Sequence, residues 1–65
     1  MSIIQIPDIG STWLHHENVE YKVIQIANEY SNDFNLLPLT VIYQGSNGHI
    51  WAKTLDEFFS EMEPA

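Results

Sequence analysis

The chain has 65 residues, with nine acids against two bases and three histidines, a formal net charge of −7 and no cysteine. That length holds one domain, residues 1–65, and the missing cysteine excludes a disulfide scaffold and a cysteine-held zinc. The shortage of Lys and Arg argues against direct binding of nucleic acid, while 45% hydrophobic residues, including two Trp, three Tyr and three Phe, argue against a disordered acidic tail.

Residues 1–11 read as an N-terminal arm or edge strand. Ile3, Ile4 and Ile6 are followed by Pro7-Asp8-Ile9-Gly10, which is turn chemistry. Neither a basic leader nor a long apolar run opens the chain, so no signal peptide is expected. No stretch approaches about 18 apolar residues, so no spanning helix is expected either. Cytoplasmic residence is the default expectation.

Strands are expected across residues 12–53. Thr12 to His16 is β-prone, and Glu17-Asn18-Val19 reads as a hairpin connection. Over residues 20–28 the apolar phase slips: Tyr21 and Val23 alternate with Glu20 and Lys22, then Ile24 and Ile26 take over. A slip of that kind inside a strand predicts a β-bulge. Residues 29–35 are a polar loop, and Leu36-Leu37-Pro38 leads into the strand 39–44. Gly45-Ser46-Asn47-Gly48 then predicts a hairpin onto residues 49–53.

The period changes at residue 54. Leu55, Phe58, Phe59 and Met62 fall on one helical face, and Thr54 and Glu57 have capping-box spacing, so a helix is expected over 54–63, stopped by Pro64. Asp56 and Glu57 suit the helix dipole in the first turn. The fold class is therefore mainly β: a small antiparallel barrel of four to five strands with a short C-terminal α-helix. Trp51, Tyr43 and Phe58 are expected in its core, with both helix Phe residues packed on the sheet. Tyr30 is expected at the surface. So short a chain buries about 60% of the surface its unfolded form exposes. Self-association is one way to steady it, and a homodimer is among the expected partners.

The order Trp13-x-His15, Tyr21-x-Val23, Ile26-Ala27-Asn28, Thr40-Val41-x-Tyr43, Gly48-x-x-Trp51 and Leu55-x-x-Phe58 resembles a family of short domains from bacteria and their phages. The likeness covers about residues 12–63. It implies a compact SH3-like module, often phage- or prophage-encoded and resident in the bacterial host cell, and it implies no activity. The family often has Gly where this chain has Asn18 or Val19, and Arg-Pro where it has Lys53-Thr54. Lys53 lacks the bidentate fork of an Arg, which weakens any inherited anion-binding role.

No cofactor, metal or catalytic set is expected. Neighbours on a strand point to opposite faces, so His15 and His16 do not readily share an ion; His49 with one of them and a carboxylate from Glu17 or Glu20 is the metal alternative, and edge or surface histidines bonded to backbone are the preferred reading. No nucleophile elbow accompanies Ser11, Ser31, Ser46 or Ser60. The glycine turn at 45–48 lacks the Lys and following helix of a phosphate loop.

The leading expectation is a non-catalytic acidic protein-binding module that occupies a basic surface of a host protein, as a counter-defence inhibitor or nucleic-acid mimic. The carboxylates would take up the same Lys and Arg that hold phosphate. Its residues would be Tyr30, Asp33, Asp56, Glu57 and Glu61. The alternative is a binder of a nucleotide-like ligand in an aromatic pocket of Trp13, Tyr43, Trp51 and Lys53. A third reading is a self-assembling structural subunit. Membrane and direct nucleic-acid partners are not expected.

Overall fold

The computed structural model describes residues 6–16 and 18–65. It is mainly β: strands β1 (Thr12–His15), β2 (Glu20–Ala27), β3 (Thr40–Gly45) and β4 (Ile50–Thr54), helix α1 (Leu55–Glu61) and strand β5 (Met62–Pro64). The strands form one antiparallel sheet in the order β4-β3-β2-β1-β5. The expected Ile3 and Ile4 arm and the Glu17 position lie outside the described residues.

Register explains the core. Trp13 faces Tyr21, Val23 faces Tyr43 and Ile26 faces Val41, which brings these side chains to one side of the sheet. The register shifts between Val23 and Gln25, so one extra residue carries the apolar phase from Val23 to Ile26. This is the bulge that the slip in β2 predicts. Val23, Ile26, Val41, Tyr43, Phe58 and Met62 are buried together, with Trp13, Tyr21, Leu39 and Leu55 packed against them.

The hairpins share one turn geometry. Gly48 donates to the Gly45 carbonyl, Gly45 donates to the His49 carbonyl, and Gly48 has φ +87°. At the first hairpin Asn18 donates to the His15 carbonyl, His15 donates to the Val19 carbonyl, and Asn18 has φ +63°. Asn is the residue after Gly that best tolerates this left-handed conformation.

Two expectations are corrected. The sheet is not closed into a barrel, because β4 and β5 lie at opposite edges and do not pair. Helix α1 runs from one edge to the other, and the fully buried Phe58 fills the space beneath it. The helix also ends at Glu61 rather than at 63. Met62 turns extended (φ −118°, ψ 150°), its N–H donates to the Phe58 carbonyl, and Met62–Pro64 continues as β5 along β1. A helix this short has little stability of its own. Pairing the free edge of β1 and burying Met62 from an extended backbone satisfies more groups than another helical turn in solvent. The start of α1 is as predicted: the Thr54 hydroxyl accepts from the Glu57 N–H and donates to the Glu57 carboxylate.

Candidate functional site

The connection between β2 and β3, residues 28–39, is short on regular structure but held by its own hydrogen bonds. Asn28, at φ +65°, donates from its amide to the Pro38 carbonyl (2.9 Å), tying the two ends together. The Ser31 hydroxyl accepts from the Asp33 N–H, the Asp33 carboxylate accepts from the Asn35 N–H (2.9 Å), and the Asp33 carbonyl accepts from Leu36 and Leu37. Asp33 is therefore a loop-forming residue as well as a surface charge.

That framework holds apolar groups in water. Tyr30 is 95% exposed, Leu36 78%, Leu37 54% and Phe34 47%. Grouped apolar exposure on so small a protein marks an interaction surface more often than scattered single residues do. The position of Tyr30 is as expected. Phe34, Leu36 and Leu37 were not singled out by sequence reasoning. The apolar pair beside Pro38 reads equally well as the start of the strand that follows.

The loop meets the start of α1 across a groove of about 250 Å³ lined by Phe34, Pro38, Leu39, Thr54, Leu55 and Asp56. Leu55 donates to the Leu39 carbonyl (2.9 Å), which fixes the helix start against the loop's end. Apolar side chains dominate the lining, and Asp56 is its one carboxylate. Such a groove can receive a single apolar side chain of a partner while Asp56 meets a neighbouring cation.

The other helix acids are differently placed. Glu57 is exposed but bonded to Thr54 in the cap. Glu61 is engaged on the other side of α1: Lys53 Nζ lies 2.9 Å from Glu61 Oε2, and His15 Nε2 lies 3.6 Å from Glu61 Oε1. The Lys53 hydrogen bond holds the Glu61 carboxyl below its ordinary range and raises the Lys53 ammonium. Glu61 thus ties β4 and β1 to the helix across the open side of the sheet. Tyr30, Asp33 and Asp56 belong to the loop and its adjoining helix start, whereas Glu61 faces the sheet side.

The aromatic set does not share one cavity wall. Trp13 lies 4.9 Å from Phe58 between ring centroids, and Tyr43 stacks on Phe58 at 5.7 Å, so the Phe58 ring fills the space between them. Burial raises the Tyr43 phenol above its ordinary value, with Lys53 nearby opposing the shift. Trp51 faces Tyr43 across the β3–β4 pair but is 50% exposed, which corrects its expected burial. It lies on β4, the outermost of the described strands on that side, where none of the others covers it. Phe59, expected to pack on the sheet, is 38% exposed and only partly covered by Trp13. Trp13 and Phe59 also line a separate shallow groove with Ile6, Pro7, Asp8 and Ser11.

The histidines differ from expectation in one respect. The His15 and His16 rings approach to 5.2 Å, because His16 follows the last residue of β1 and escapes strand alternation. Among the described residues no three His, Asp or Glu side chains are grouped so that they could hold a metal ion. No helix of the described residues is long and apolar enough to cross a membrane. Comparison with protein-family models, with curated proteins and with solved structures gives no match to this chain.

Proposed function

We propose that this protein is a non-catalytic binding module whose loop–helix face, built from residues 28–39 and the start of α1, docks on a basic surface of a partner protein. One observation carries the reading: Tyr30, Phe34, Leu36 and Leu37 stand out in solvent on a hydrogen-bonded loop that carries Asp33, and Phe34 of that loop shares a groove with Asp56. A loop already ordered before binding loses less entropy on docking. The apolar groups supply contact area and the net charge of −7 steers the encounter toward Lys and Arg. The strand order, a meander whose last strand returns beside the first after a helix, suits an SH3-like module left open between β4 and β5. The resemblance to phage domains adds that the partner is a bacterial host protein, whose phosphate-holding cations the carboxylates would occupy.

The test is a pull-down from bacterial lysate at about 50 and about 500 mM salt, where exposed charge pairs are respectively weakly and strongly screened. Wild-type protein captures a defined polypeptide at low salt and loses most of it at high salt. Tyr30→Ala combined with Leu36→Ser, and separately Asp56→Lys, lose it at low salt while melting like wild type. Equal capture by all three proteins ends the proposal.

A further inference from the structure

The outer edge of β4 is a second, different surface. The Gly45 N–H bond to the His49 carbonyl sets the alternation along the β3–β4 pair. With Tyr43 opposite Trp51 and Val41 opposite Lys53, Trp51 and Lys53 turn their backbone groups toward β3. Ile50 and Ala52 therefore turn their N–H and C=O outward. The side chains agree with an uncovered edge: Ile50 is 62% exposed, Trp51 50%, and Ala52 is also exposed.

Natural sheets blunt such edges with Pro, bulges or inward-pointing free charges. The described β4 has no Pro and pairs with β3 without a shift of register. Its one charge, Lys53, is already neutralised by Glu61 at 2.9 Å. A backbone ladder with a large aromatic at its centre is the combination that strand addition uses: main-chain bonds give affinity, and side-chain contacts give selectivity. Trp is also the side chain most often found as an energetic anchor.

Charge selects the occupant. At the Thr54 end, β4 runs directly into Asp56 and Glu57, both exposed in the first turn of α1. A second copy of this chain would bring a further net charge of −7 to the same edge. A cationic segment would instead meet carboxylates where it leaves the ladder. We infer that β4 accepts an extended, cationic segment of a partner protein as a sixth strand, with an apolar side chain over Trp51 and a Lys or Arg near Asp56. This inference shares Asp56 with the loop–helix reading but rests on the β4 edge, and it is scored on the Ile50 and Ala52 amides, which that reading does not use.

The probe is a peptide of about six residues, alternating valine and threonine between terminal lysines, a typical strand length. Three controls go with it: the same peptide with glutamates for lysines, the same peptide N-methylated at alternate residues, and the protein alone at rising concentration. The readout is hydrogen exchange at the individual Ile50 and Ala52 amides, with fluorescence anisotropy for affinity. The cationic peptide slows exchange at both amides by about tenfold or more at saturation. The N-methylated and anionic peptides do not. Ala52→Pro abolishes this binding and leaves the melting temperature near wild type, because only an outward-facing donor is lost. Trp51→Ala weakens it.

The inference is overturned by unchanged exchange of Ile50 and Ala52 at saturating cationic peptide, by equal binding to Ala52→Pro, or by equal binding of the anionic peptide. Protection of the same amides that grows with protein concentration alone also overturns it, since the occupant is then a second copy. Loss of the loop–helix partner with Tyr30→Ala and Leu36→Ser leaves these outcomes untouched.

Discussion

The two edges of the sheet are built in opposite ways. β5 is three residues long, ends in Pro64, and starts with a buried Met62 inserted beside Phe58. β4 is five residues long, carries no Pro, and exposes Ile50, Trp51 and Ala52. One edge is thus part of the core and the other lies outside it. The difference comes from α1. The helix leaves β4 at the Thr54 cap and delivers the chain to β1: Phe58 packs between Trp13 of β1 and Tyr43 of β3, and Phe59 lies against Trp13. On the β4 side the Lys53–Glu61 ion pair and the Thr54 cap link the strand to the helix.

Substitutions can break that asymmetry, and the largest effect belongs to the residue beneath the helix. Phe58→Ala removes a fully buried ring in contact with Trp13 and Tyr43 and costs about 3–5 kcal/mol in urea unfolding, with β5 released from β1. Met62→Ala acts on the β5 edge itself and costs about 2–5 kcal/mol, with faster amide exchange at β1. An unchanged β1 exchange rate in both variants would show that β5 is held by its ladder rather than by the core. Thr54→Ala loosens the junction between the edges and costs about 1 kcal/mol in thermal or urea unfolding.

The Lys53–Glu61 pair sharpens the comparison through pH. The folded Glu61 carboxyl sits below its ordinary value of 4.5, chiefly because it accepts a hydrogen bond from Lys53. Its stabilising contribution is therefore present above about pH 4.5 and is lost as pH falls through the lower folded value. Lys53 is raised above 10.5, so its contribution is present below that pH and fades as pH rises through the higher folded value. Glu61→Gln flattens the acid limb of melting temperature against pH. An acid limb as steep as wild type would place the dependence elsewhere. The smallest effect is expected at the open edge, where Ala52→Pro changes stability by no more than about 0.5 kcal/mol, as for an ordinary surface substitution.

Local patterns made most of the sheet legible in the chain. The phase slip between Val23 and Ile26 announced the bulge, Gly48 marked the second hairpin, and Thr54 with Glu57 marked the helix start. What escaped was decided by contacts between distant segments. Met62 satisfies the helical period and the strand equally well, and only the free edge of β1 chooses the strand. Trp51 looks like a core residue by composition, and only its place on the last strand leaves it half in water. Glu61 reads as one more solvated acid until the helix brings it to Lys53 and His15. Asn18 shows the reverse case. The first hairpin lacks the Gly of the second, yet it closes because Asn accepts φ +63°.

The asymmetry also equips the molecule with its own optical labels. Its two indoles lie on different strands near opposite edges: Trp13 half-buried against Phe58 on β1, and Trp51 half in water on β4. Acrylamide, being uncharged, should quench the emission of Trp51 more readily than that of Trp13. A Trp13→Phe protein therefore reports occupancy of the open edge as a blue shift and lost quenching, and a Trp51→Phe protein reports release of the last strand, both without an added dye.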